Sequence, residues 1–206
     1  MSKIIEKPRF SCATGGALST IAAIDGAVPI IHGGPGCGVQ VFYGQSFVSG
    51  FRGSGHLGGV AVPSTNTYEK EVVFGGESRL KEQIEKTIEL IDGDQYVVLT
   101  ACTSELIGDD VSGILREFKD EETVIYAETA GFRGSSYVGY EILLNAFIDQ
   151  VVKEQPKKEN LVNIIGIVPS QDVFWEGNLA EIERILNSAG LEVNTLFNDK
   201  KIEDLS

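Results

Sequence analysis

The run Tyr96-Val97-Val98-Leu99-Thr100-Ala101-Cys102 is continuous, apolar and rich in β-branched residues until it stops at a small residue and a thiol. A strand buried on both faces reads this way. A matching run, Val28-Pro29-Ile30-Ile31-His32, stands upstream, and Thr123 to Ala127 stands downstream. Between the first two runs, Leu80, Ile84 and Ile88 recur four apart within Glu77 to Ile91, with Glu and Lys between them. That spacing predicts an amphipathic helix. Further helices are predicted from about Asp109 to Phe118 and from Tyr137 to Val152, and the small apolar stretch Gly16 to Ile24 suits a helix packed closely on its neighbours. The order βαβαβα with right-handed crossovers gives an α/β fold, a Rossmann-like parallel sheet with helices on both faces.

The hydrophilic stretch Lys153-Glu154-Gln155-Pro156-Lys157-Lys158-Glu159 interrupts this alternation and reads as a linker. Beyond it a strand at Leu161 to Val168, a helix at Asn178 to Ser188 with Gly190 as its stop, and a strand at Leu191 to Phe197 restart the pattern. Two units are therefore expected: residues 1–155, and residues 161–206 as the incomplete start of a second Rossmann-like α/β unit. One βαβ unit is too little sheet for a domain, so the chain reads as the N-terminal piece of something longer. Residues 50–59, dominated by glycine, read as a loop.

With 206 residues the chain is long enough to bury a sizeable core. Its net charge of −13 argues against nucleic-acid binding, because the Lys/Arg surface that neutralises phosphates is missing. No apolar run reaches membrane-spanning length and no signal-peptide core follows Met1-Ser2-Lys3. The expectation is a cytoplasmic protein without membrane contact, whose thiols stay reduced.

Those thiols are the chemical signal. Cys12 precedes a glycine pair, Cys37 lies within Gly33-Gly34-Pro35-Gly36-Cys37-Gly38, and Cys102 follows the central strand. Single cysteines at separate strand-to-helix turns suit a soft-metal cluster assembled by the tertiary fold, since such turns converge at the carboxyl ends of parallel strands. Structural zinc favours close Cys-x2-Cys pairs, and none is present. The competing reading is three buried free thiols. Neither His32 nor His56 has a context that pairs it with a cysteine for nucleophilic catalysis.

The segments Cys12-Ala13-Thr14-Gly15-Gly16-Ala17-Leu18, His32-Gly33-Gly34-Pro35-Gly36-Cys37-Gly38, Val73-Phe74-Gly75-Gly76-Glu77, Cys102 to Asp110, and Gly131-Phe132-Arg133-Gly134 occur in this order along the chain. Together they resemble nitrogenase component 1 type oxidoreductases. That family includes molybdenum–iron protein subunits, cofactor-assembly scaffolds and dark-operative protochlorophyllide reductase. The resemblance implies that Cys12, Cys37 and Cys102 ligate an iron–sulfur cluster, either P-cluster-like (8Fe-7S) or four-iron (4Fe-4S). It implies that Gly15, Gly36 and Gly38 give the backbone clearance around it. It further implies a homologous component 1 subunit sharing the cluster, and an ATP-dependent iron–sulfur reductase as electron donor. The alternative within the family is a non-catalytic scaffold for cofactor assembly.

The resemblance does not extend to the nitrogen-reduction site. After Gly134 the chain reads Ser135-Ser136-Tyr137-Val138-Gly139-Tyr140-Glu141, without the glutamine and histidine of the subunit that holds the molybdenum cofactor. After Cys37 it reads Val39 to Gln45, without that subunit's arginine. The serine that the other nitrogenase subunit carries near the position of Gly131 is absent too.

Other polar residues have structural readings. His32 reads as a hydrogen-bonded core histidine, His56 as exposed, and Asp109 and Asp110 as helix caps. Arg133 reads as a partner for a carboxylate or a substrate contact. Phe174 and Trp175 read as packing between the two units. The Gly33 to Gly36 stretch lacks the Lys-Ser/Thr of a P-loop and the spacing of a dinucleotide fingerprint.

Overall fold

The computed structural model describes residues 11–24, 26–39, 62–118, 123–153, 156–167, 172, 174–195 and 197. The glycine loop at 50–59, His56 and residues 40–45 lie outside the described residues. Three parallel strands, β1 (Ala27–His32), β2 (Gln95–Thr100) and β3 (Val124–Glu128), lie side by side in chain order. The register runs from Ala27 opposite Gln95 to His32 opposite Thr100, and from Tyr96 opposite Val124 to Thr100 opposite Glu128. All three strands consequently end at one edge of the sheet.

Alternation along each strand sorts side chains to two buried faces. On one, Ile31, Val97, Leu99, Ile125 and Ala127 pack with helix α1 (Ala13–Ile21) and helix α6 (Ser136–Gln150) through Ala17, Leu18, Ile21, Leu143 and Phe147. On the other, Val28, Ile30, Tyr96 and Val98 pack beneath Leu80 and Ile84 of α3 (Glu77–Leu90) and Val111 of α5 (Val111–Leu115). Burying each such aliphatic side chain contributes about 1.5–3 kcal/mol, so both layers are needed to offset the ordering entropy of the chain. The sheet with helices on both faces is the expected architecture.

Helices α1 and α6 cross at backbone distance. A Cβ on Gly139 would stand 2.0 Å from the Ala13 carbonyl oxygen, and one on Gly16 would stand 2.1 Å from the Ser136 carbonyl oxygen. The chain entering α1 also runs against the chain entering α6: Ala13 N–H donates to Gly134 O at 2.9 Å, and Ser136 N–H donates to Ser11 O at 3.0 Å. On the far side of β1, Ile31 N–H donates to Pro63 O and Thr65 N–H to Ile31 O, at 2.8 and 3.0 Å. Beside β3, the Gln150 side chain accepts from Tyr126 N–H at 3.2 Å and donates to Tyr126 O at 2.8 Å.

Several element boundaries differ from the sequence reading. The helix expected from Asp109 to Phe118 is two short pieces, α5 and a 3-10 turn at Arg116–Phe118, and a separate short helix, α4 (Cys102–Ile107), precedes it. Gly108 ends α4 with a left-handed backbone (φ 80°), which divides the segment. A short helix α2 (Glu69–Phe74) precedes α3, and the apolar spacing in so brief an element gave no warning of it. In the second unit, β4 (Leu161–Asn163) and β5 (Glu192–Asn194) are shorter than expected and pair in parallel across α7 (Trp175–Ser188). Gly190 does close that helix region with φ 82°. Trp175 is buried edge-on against Phe197 of its own unit, with ring centroids 5.3 Å apart, and Phe174 is 75 % exposed. Phe197 also packs against the core of the first sheet, so the expected packing between units is corrected for Phe174 alone. Gly166, with φ 98°, ends the extended segment after β4 and donates its N–H to the Tyr140 hydroxyl of α6 at 3.0 Å.

Gly139→Ala should lower unfolding stability by about 3 kcal/mol, because neither backbone can retreat without opening the core. Gly177→Ala is the control: it lies in α7 with open space around the new methyl. It should be neutral or stabilising by up to about 1 kcal/mol. Urea unfolding of both variants checks the pair, and equal effects would refute the close-crossing account.

Candidate metal centre

Each cysteine is placed by a different piece of the fold. Cys12 is the N-terminal cap residue of α1, with extended backbone that bridges to Ser135. Cys102 opens α4 directly after β2. Cys37 sits in the helical turn at residues 35–39 after β1, its N–H bonded to Gly34 O at 3.3 Å. All three are free thiols, half-buried.

Cys12 and Cys102 meet at Gly131, in the 3-10 turn Gly131–Arg133 that follows β3. Gly131 N–H donates to Cys102 Sγ at 3.1 Å. A Cβ on Gly131 would stand 3.2 Å from Cys102 Sγ and 3.3 Å from Cys12 Sγ. A glycine is needed here because a side chain would press on both sulfurs. Cys37 joins them electrostatically. Burial pushes its thiol upward, and the negative charge of Cys12 and then Cys102 pushes it further in the same direction.

Two polar supports hold this turn and the strand ends. Glu105, one turn along α4 from Cys102, accepts from Ala130 N–H at 2.9 Å and from Thr100 Oγ1 at 2.5 Å. Its other oxygen receives Arg133 Nε at 2.7 Å, while Arg133 also reaches Glu128 at 2.5 Å. The carboxylate therefore fixes the turn that presents Gly131 N–H to sulfur. Ser104 hydroxyl accepts from Ala101 N–H at 3.1 Å and donates to His32 O at 2.8 Å, joining the start of α4 to the end of β1.

Behind this layer His32 is fully buried. Its Nε2–H donates to Asp109 at 2.9 Å, and its Nδ1 accepts from the Thr65 hydroxyl at 3.2 Å, the tautomer being assigned from these partners. Asp109 also accepts from Gly76 N–H at 2.9 Å, and a Cβ on Gly76 would lie 2.6 Å from this carboxylate. Desolvation lowers the His32 pKa below its ordinary 6.5, and the neighbouring Asp109 charge opposes the shift only in part. The core reading of His32 is correct. The capping reading holds for Asp110, which accepts from Gly113 N–H at 2.8 Å at the start of α5, but not for Asp109, whose carboxylate is spent on His32 and Gly76.

The three glycines expected to clear space differ in setting. Gly15 is buried inside α1 with its carbonyl bonded to Ser19 Oγ. A Cβ on Gly36 would meet nothing within 4 Å, and one on Gly38 would make only ordinary contacts with Val62 and Ile31. The tight glycine beside sulfur is Gly131. Glu105 and Gly131 escaped the sequence reading as site residues; the quoted Gly131 to Gly134 motif was the available signal for the second.

The donor set is soft, half-buried and supplied with a backbone N–H, which fits thiolate ligation of a metal–sulfur core. Among the described residues no group of three His, Cys, Asp or Glu side chains is close enough to grip a single metal ion. Exposed apolar side chains are carried by neighbouring segments of the chain: Tyr68, Val73 and Phe74 at α2, Leu106 on α4, Phe132 in the turn after β3 and Tyr137 in the first turn of α6.

Residues 12–206 match the family model described as nitrogenase component 1 type oxidoreductase. The beta chain of the nitrogenase vanadium–iron protein of Trichormus variabilis is 27 % identical over 203 residues, covering 93 % of this chain and 41 % of that one. The nitrogenase molybdenum–iron protein beta chain of Methanococcus maripaludis is 29 % identical over 198 residues, covering 90 % and 40 %. A solved structure titled nitrogenase Cp1 at pH 6.5 superposes with a TM-score of 0.75 at 26 % identity, covering 99 % of this chain and 40 % of the other. The chain belongs to the nitrogenase component 1 type oxidoreductase family, and it spans about two fifths of the length of these relatives. Among the described residues no helix is long and apolar enough to cross a membrane.

Because the folded His32 pKa lies below 6.5, the native state binds fewer protons than the unfolded chain just under that value. Stability should be full above pH 6.5 and should fall as the pH drops through it, with His32 contributing until its lowered folded pKa is passed. Imidazole NMR titration should give a midpoint below 6.5, and a midpoint above it would reverse the sign.

Proposed function

We propose that this chain is the N-terminal part of a nitrogenase component 1-like oxidoreductase subunit whose Cys12, Cys37 and Cys102 hold one side of an interface iron–sulfur cluster. The observation that carries the proposal is the convergence of Cys12 and Cys102 on Gly131, with Cys37 electrostatically coupled to both. The cluster is of the P-cluster-like or the four-iron kind, and when bound it supplies one-electron storage and relay. It receives electrons from an ATP-dependent iron–sulfur reductase.

The protein's own contribution is positional. Cys12 and Cys102 are fixed by helix starts, and Glu105 locks the turn whose N–H points at the Cys102 sulfur. A hydrogen bond of that kind favours thiolate over thiol and tunes the potential of the metal it serves. The apolar residues around the thiols form the surface that the homologous subunit covers, keeping water from the sulfurs. Beta chains among the relatives support a companion subunit. The domain arrangement we infer is a cluster-binding unit at 1–155 and the beginning of a second α/β unit at 161–206. The reaction takes place in a reducing, cytoplasmic setting.

The test is anaerobic co-expression with the homologous component 1 subunit, followed by iron and acid-labile sulfide analysis and EPR. Wild type should carry iron and sulfide in comparable amounts and give a cluster signal, and Cys102→Ala and Cys37→Ala should lose most of both. Iron-free wild-type complex would overturn the reading. Gly131→Val, which crowds both sulfurs, should cut iron retention by about tenfold, whereas a change of less than twofold would remove Gly131 from the site.

A further inference from the structure

Cys12 and Cys102 both bring their sulfurs to Gly131, which has no side chain to keep them apart. Both sulfurs lie within 3.3 Å of the place where a Gly131 side chain would begin. Cys12 Cβ is also 3.3 Å from that point, so rotation about its Cα–Cβ bond swings the sulfur within the same small space. A disulfide needs Cβ atoms about 3.5–4.5 Å apart and a sulfur–sulfur bond of about 2.05 Å. Cys37 is held in a separate turn and is not among the atoms closest to Gly131. All three thiols are only half-buried, so a small oxidant can reach them.

We infer that Cys12 and Cys102 form a reversible disulfide across Gly131 when no metal occupies the thiols, and that this bond closes the site to metal until it is reduced. The oxidant is a low-molecular-weight disulfide. One cysteine thiolate attacks it and expels one thiol, and the second cysteine attacks the resulting mixed disulfide and expels the other. One sulfur–sulfur bond breaks and one forms; the two protons and two electrons lost by the cysteines end on two small thiols. The bond itself depends only on the thiol geometry, whereas its effect on metal uptake rests on the cluster reading above.

The full-length chain, stripped of iron and held under argon, is treated with oxidised glutathione, denatured, alkylated with iodoacetamide and mapped by mass spectrometry. The expected result is alkylation of Cys37 alone and a linked pair of peptides containing Cys12 and Cys102, reversed by dithiothreitol. Cys37→Ser should keep the link, and Gly131→Val should slow its formation by about tenfold because a side chain then wedges between the sulfurs. Ferrous iron and sulfide uptake should fall by about tenfold in the oxidised chain and return after dithiothreitol. Alkylation of all three cysteines, a link that includes Cys37, or a lasting glutathione adduct on Cys12 or Cys102 would overturn the inference. A linked pair in a chain that, once reduced and combined with the homologous subunit, takes up no iron would uphold the disulfide and overturn the cluster reading instead.

Discussion

The backbone contact between α1 and α6 sets the position of everything at the thiol end of the molecule. Gly16 and Gly139 have no side chains, so the two helices meet at main-chain distance and their starts lie side by side. Cys12 at one start is thereby laid against the turn that leads to the other. Larger residues would push the helices apart by ångströms, and packed cores do not absorb such displacements smoothly. The sulfur of Cys12 would then leave Gly131.

The second constraint is polar and lies beneath the strand ends. His32, Thr65, Gly76 and Asp109 come from four separate segments and are joined in one buried network. Glu105 does the same for the turn after β3, using both carboxylate oxygens. A buried carboxylate without partners is strongly destabilising, so these groups are tolerable only because each finds its donors. The acidity of the chain is in this sense partly structural: some carboxylates serve as fasteners rather than as solvated surface charge.

The fold was legible because the strands are buried on both sides and the helical stripe of Leu80, Ile84 and Ile88 is long enough to show its period. The elements that escaped, α2 and the division of α4 from α5, have too few residues for periodicity to register, and one left-handed glycine makes the division. The strand expected from Leu161 stops at Asn163, ahead of the left-handed Gly166. At the site, the cysteines announced themselves by type and context. Asp109 did not, because a carboxylate before a helix looks like a cap whether or not its side chain turns inward to a histidine 77 positions away. Glu105 and Gly131 act through an N–H and through missing atoms, and neither property has a composition or spacing of its own.

The side-chain amide of Gln150 occupies both backbone groups of Tyr126, and residues 63–65 occupy those of Ile31 on the opposite flank. At these two positions among the described residues the border hydrogen-bonding groups are already taken, so a further strand would have to displace them in order to pair there. On the proposed reading, a companion subunit would meet the molecule at the turns and helix starts that carry the cysteines, at the carboxyl end of the strands, rather than along these two flanks.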